Sequence, residues 1–184
     1  TYRTLFGLLA ATGLRIGEAL ALDRSDVDDE RGTLLVRRDK SRSTREIPLH
    51  RSVLEALAAY GARRDARHPA PRSRAFFLTE SRGTRLRYPD VNIAFRKLRR
   101  GLGWSERPLP TLHDVRHTFA VRKFLEWFRA GKDVDAEIPA LSAYMGHKKP
   151  ESTYWYLSAV PELLYLVTGH TERFSAVRPP RKDA

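Results

Sequence analysis

Apolar residues in this chain recur mostly at three- and four-residue intervals and alternate with charged ones at one place. Leu5, Leu8, Leu9 and Thr12 share one side of a helix over 1–12, and Gly13 is expected to cap it. A second helix, Leu14–Leu22, follows and ends at SerAspValAsp, 25–28. Thr33–Arg38 is β-rich and Arg45–Leu49 alternates, so AspLysSerArgSerThr, 39–44, becomes a hairpin tip that carries Lys40. From Ser52 to about Arg67 a helix turns Val53, Leu54, Leu57 and Ala58 inward, before a basic, proline-rich loop at 68–74. PhePheLeu at 76–78 is expected as a short strand. Pro89 opens a helix with Val91, Phe95 and Leu98 on one side and Arg96, Lys97, Arg99 and Arg100 largely on another. After a loop at 101–110 come a long helix from Thr111 to about Arg129, another over roughly 135–145, and a last one from near Pro161. The class expected is mainly α with a small antiparallel β-sheet.

At 184 residues with 41% hydrophobic content, the chain can bury a core as one domain, or as one domain with a small lobe. Lys and Arg number 34 against 22 acids, a formal charge of +12, and a domain this basic most often meets a polyanion, usually nucleic acid. Ribosomal, membrane-surface and merely solubilising roles share that charge. The absence of cysteine excludes disulfides and thiolate metal sites. No run of about eighteen apolar residues is present to span a membrane, and the start is not signal-like. The chain opens at Thr1, which leads us to expect a domain of something longer, with a loose tail after Gly169.

Two clusters carry titratable groups at telling spacings. In HisAspValArgHis, 113–117, His113 stands three residues before Arg116, which puts both on one helix face. Arg116 lies close to the stripe of Leu112, Val115 and Phe119, so it is expected half-buried and in need of an anionic partner. A structural ion pair satisfies it as well as a substrate does. Arg15, inside ThrGlyLeuArgIleGlyGluAla, has an obvious intrahelical mate in Glu18. TyrMetGlyHis at 144–147 precedes TyrTrpTyr at 154–156, where aromatics this dense more often form core.

Taken in order, Arg15 in its motif, His113 and Arg116 in HisAspValArgHisThrPhe, GlyHis at 146 and 147, and Tyr156 nine residues after His147 resemble the signature of the tyrosine recombinase family, the phage-integrase type. Four separated pieces in one order are far more specific than any of them alone. The resemblance covers residues 1–168, the family's catalytic domain with its DNA breaking-rejoining fold; 169–184 is then a flexible tail and an amino-terminal core-binding domain lies outside this chain. Lys40, eight residues before Pro48, matches the family's hairpin lysine. One departure is the interval from Arg116 to His147, several residues longer than in compact bacterial members because of the segment at 128–139. That questions local helix geometry more than chemistry.

The resemblance implies attack by a tyrosine hydroxyl on a DNA phosphodiester, a 3′-phosphotyrosyl bond and a free 5′-hydroxyl, followed by reversal on a second strand. The ester is retained on the protein, so no cofactor and no metal is called for. Arg15 and Arg116 then clamp the non-bridging oxygens, which planar guanidinium groups do bidentately and lysines cannot. A free tyrosine ionises near about pH 10, and at neutral pH its phenolate costs roughly 4 kcal/mol. His113 is suited to assist Tyr156, His147 to donate to the phosphate, and Lys40 to protonate the departing 5′-oxygen. Glu18 and Asp114 would orient the arginines, Tyr154 would pack, and His117 is a core histidine or a further site residue. Arg96, Lys97, Arg99, Arg100, Lys148 and Lys149 would track phosphates of double-stranded DNA.

The implied activity is site-specific recombination or integration, of the kind mobile genetic elements use, in the cytoplasm on the nucleoid. A homotetramer on paired DNA sites is implied, with 161–167 and the tail exchanged between neighbours, and a monomer for the isolated domain. Two rivals remain: a type IB topoisomerase-like relaxing enzyme, and a catalytically idle DNA-binding module.

Overall fold

The computed structural model describes residues 1–37, 44–105, 107–147, 149 and 151–158. Two compact units divide within one helix, the first Thr1–Arg116 and the second from His117 onward. Among the described residues the class is mainly α with one small antiparallel sheet, and no helix there is long and apolar enough to cross a membrane.

In the first unit, α1 (Tyr2–Thr12) buries Leu5, Leu8, Leu9 and Thr12, as their spacing requires. Gly13 ends it at φ 62, a left-handed conformation that glycine adopts without a Cβ penalty, and its N–H returns to the Leu9 carbonyl at 2.9 Å. The next helix, α2, is shorter than the expected Leu14–Leu22. It spans Ile16–Ala21, and Arg15 sits outside it as the extended N-cap residue. Glu18 accounts for the late start, because its carboxylate accepts the Arg15 N–H at 3.0 Å, as the third residue of a capping box does.

SerAspValAsp does more than end a helix. A 3₁₀ turn, Arg24–Asp26, leads into β1 (Val27–Asp28), which pairs antiparallel with β2 (Thr33–Arg37). Next comes β3 (Thr44–Pro48), giving the sheet order β1-β2-β3 with Leu34 opposite Ile47 and Val36 opposite Arg45. Leu34, Val36 and Ile47 are fully buried, the apolar half of the alternation. The hairpin tip with Lys40 lies outside the described residues.

Along α3 (Arg51–Arg67) the buried side is Leu57, Tyr60, Gly61 and Arg64, whereas Ala58 is exposed and Val53 and Leu54 are half-buried. The Tyr60 ring decides this. It packs on Phe76 and Phe77, 5.4 Å from each, and its hydroxyl accepts the Leu78 N–H, burying far more area than an alanine could. The segment 75–78 is buried throughout without becoming a strand. Isolated bridges, Asp23 with Ala75 and Leu78 with Arg85, tie it down instead.

One further departure concerns α4 (Tyr88–Gly101), where Val91 and Phe95 are buried but Leu98 is 44% exposed; Ile93 on the helix and Leu102 at its C-cap are exposed as well. At about 100° per residue Leu98 lies about 20° from Val91 on the same face, so its exposure follows from its place near the end of the helix and not from its direction.

The boundary between the units falls within α5 (Leu112–Arg129). In the second, Gly131 at φ 64 turns the chain, and Asp133 caps α6 (Val134–Met145) by accepting the Asp135 and Ala136 N–H groups. The longer segment at 128–139 is thereby absorbed by the last turn of α5, this turn and the first half of α6. A helix not expected from the sequence, α7 (Glu151–Ser158), carries TyrTrpTyr; the helix expected from near Pro161 lies outside the described residues. The core of this unit is Phe119, Ala120, Phe124, Ile138, Leu141, Met145 and Tyr156.

Candidate active site

Each unit holds a set of the expected residues, built differently. In the first, the break between α1 and α2 places Arg15 at a turn, and Arg116, 103 residues beyond Gly13, donates from Nη1 to the Gly13 carbonyl at 2.6 Å. Arg116 is 2% exposed, so the half-buried expectation is corrected: it is fully buried and a backbone carbonyl is among its partners. His113, expected to share its face, is exposed. At 60° around the helix axis one side chain reaches the rim while the other goes under it.

Glu18 organises this turn. Arg45 on β3 grips its carboxylate with both Nη atoms, at 3.0 and 2.9 Å, while Arg15 Nη1 reaches it at 3.2 Å. Burial pushes Glu18 up; the hydrogen bonds from Arg45 and the Arg15 N–H, with the charges of both guanidinium groups, outweigh it and hold the carboxyl below its ordinary value. Arg45 is a site residue that the sequence reading did not single out; the signal was there in the alternation, which puts Arg45 on the same strand face as buried Ile47. Asp114 accepts from the N–H and hydroxyl of Thr111, both at 2.7 Å, and so holds the start of α5.

In the second unit, Gly146 at φ 67 closes α6 and His147 follows, its N–H returned to the Ser142 carbonyl at 2.9 Å. The His147 ring stacks on Tyr156, with centroids 6.0 Å apart and planes 21° off parallel. His117 meets the same tyrosine edge-on at 5.2 Å, and Trp155, 53% exposed, lies at 5.6 Å. Tyr156 itself is 4% exposed, with its ring in the core of the unit.

Tyr154 differs from Tyr156 in its surroundings. Burial, then the charge and hydrogen bond of Asp135 and the charge of Asp133, raise its phenol above the ordinary 10.0. A phenolate beside two carboxylates is a poor nucleophile to prepare. Asp135→Asn is expected to move this one phenol to lower pH in a near-ultraviolet titration, a shift that Tyr154→Phe erases; an unchanged curve would remove Asp135 from this role.

Of the basic residues expected to meet phosphate, Arg96, Lys97 and Arg100 are exposed on α4, while Arg99 is half-buried and donates to the Pro110 carbonyl at 2.9 Å. Lys149 is exposed, and Lys40 and Lys148 lie outside the described residues. Among the described residues no three His, Asp or Glu side chains cluster closely enough to hold a metal ion.

A helical domain with this three-stranded sheet, an arginine at the first helical break and a histidine followed nine residues later by a tyrosine defines the tyrosine recombinase catalytic-domain fold. The chain belongs to the phage integrase family, whose pattern matches residues 1–162. It is 42% identical over 164 residues to y4rE of Sinorhizobium fredii, named as an integrase/recombinase, covering 89% of this chain and 53% of that protein. With the tyrosine recombinase XerC of Nitrobacter winogradskyi it shares 30% identity, over 87% of this chain and 46% of that one. The chain thus spans about half the length of these relatives. The crystal structure of XerA recombinase superposes with a TM-score of 0.72 at 24% identity, over 94% of this chain and 64% of that one.

Proposed function

We propose that residues 1–168 are the catalytic domain of a site-specific recombinase of the integrase type, within a longer polypeptide whose amino-terminal part binds the core site. The observation that carries this reading is the Arg116 guanidinium, buried and donating to Gly13, two residues from Arg15. Family membership over residues 1–162 supports it, and so does the Tyr156 ring packed against His147.

In the reaction, the Tyr156 hydroxyl attacks the phosphorus and a new P–O bond forms to the phenol oxygen. The P–O5′ bond breaks. His113 takes the phenol proton, Lys40 supplies one to the departing 5′-oxygen, and a second strand's 5′-hydroxyl later reverses both transfers. Arg15 and Arg116 stabilise charge on the non-bridging oxygens and His147 donates to one of them. Glu18 keeps Arg15 oriented. The partner is double-stranded DNA, with Arg96, Lys97, Arg99, Arg100, Lys148 and Lys149 on backbone phosphates and four protomers assembled on two duplexes. The enzyme works in the cytoplasm, on the nucleoid.

The test is a nicked suicide duplex carrying the target site, which traps a covalent protein–DNA band on a denaturing gel. Wild type is expected to give it, Tyr154→Phe to keep it and Tyr156→Phe to lose it. No band from wild type under binding conditions would leave an idle DNA-binding module, and relaxation without junction products would make the enzyme topoisomerase-like.

A further inference from the structure

His147 is held by more than its stack on Tyr156. Its Nδ1 lies 2.7 Å from the Oγ1 of Thr153, a side chain in the first turn of α7 that is fully buried, at 0% exposure. With the backbone N–H on Ser142 and the ring face on Tyr156, this third anchor fixes which way each ring nitrogen points. A neutral imidazole carries one proton, and the bond made by one nitrogen decides which of the two has it. A hydroxyl can donate or accept, so Thr153 is compatible with either form, and the chemistry asked of the other nitrogen makes the choice. The non-bridging oxygens of a phosphodiester only accept. A ring that meets them with a lone pair repels them; one that meets them with N–H stabilises them.

We infer that Thr153 is a positioning residue for the reaction: its hydroxyl donates to His147 Nδ1 and keeps the neutral ring's proton on Nε2, where it serves as a donor to phosphate. This rests on the function proposed above for His147, but it has a signature that needs no DNA. The two tautomers differ in the ¹⁵N shifts of the ring, and free imidazole is neutral above about pH 7.5. Long-range ¹H–¹⁵N spectra of this chain at pH 8, with the His147 signals identified by their loss in His147→Gln, are expected to show the Nε2–H form. Thr153→Ser should keep that form, and Thr153→Val, which has the same shape without the hydroxyl, should give a mixture. In the suicide-duplex assay Thr153→Val should form adduct about tenfold more slowly, the worth of one hydrogen bond, with Thr153→Ser restoring the rate.

An Nδ1–H form or an imidazolium in wild type at pH 8 overturns the inference. So does a Thr153→Val spectrum identical with wild type. If Thr153→Val does not fold, the wild-type and Thr153→Ser spectra still decide. An Nε2–H ring in a protein that forms no adduct supports the tautomer assignment and defeats the proposed function, so the two failures are distinct.

Discussion

Arg116→Ala is expected to slow formation of the covalent adduct by about 10²–10³-fold, the loss found when one preorganised donor is removed from a developing oxyanion. The variant should also be less stable. Arg116 is buried and its Nη1 donates at 2.6 Å to the carbonyl of Gly13, itself buried at the break between α1 and α2. Removing the donor costs about 1–3 kcal/mol, the desolvation of a carbonyl left without that bond. Arg116→Lys separates the two effects. It restores charge and some stability, while one ammonium cannot hold Gly13 and grip a phosphate as a planar fork does, so the rate stays low. Thermal unfolding and the suicide-duplex rate measure the two quantities. Wild-type adduct yield from Arg116→Ala would end the clamp.

The second large effect is expected from Glu18→Gln. This carboxylate, its side chain 9% exposed, joins Arg45 on β3 to Arg15 at the start of α2, and the Arg45 side chain is only 16% exposed. Neutralising Glu18 leaves two guanidinium groups facing each other without their shared anion. A loss of about 3 kcal/mol is expected, at the low end for breaking a buried pair because Arg15 is 38% exposed and reaches solvent. The effect depends on pH in a definite direction. Glu18 in the folded chain lies below its ordinary value of 4.5, so the unfolded chain binds the proton first as pH falls. Its contribution is complete above that value and disappears as pH drops through the lower, folded one. Denaturation of wild type and Glu18→Gln at pH 7 and at more acid pH should therefore show the stability gap closing toward acid. A gap of constant size would mean that Glu18 is not the charge that holds this turn.

Local patterns carried the helices well where one residue spacing dominated. Leu5, Leu8, Leu9 and Thr12 went where their period sends them, and Gly13 capped α1. They carried less where side chains compete for the same interior, as Tyr60 outweighed Ala58 on α3, or where a helix nears its end, as Leu98 stayed outside on α4. TyrTrpTyr has no clean period, and α7 forms there because Thr153 and Tyr156 are buried against the second unit's core.

The periodicity of its apolar residues declared the mainly helical class with one small sheet, and the order and spacing of its motifs declared its family and the residues worth testing. Those depend on identity and separation along the chain, which sequence records directly. Tertiary structure alone decided that Arg116 is wholly buried on Gly13, that Arg45 shares Glu18, and that Thr153 holds His147. Each joins groups through space, by a hydrogen bond a fraction of an ångström in tolerance, and no local propensity encodes a partner 27 or 103 residues away.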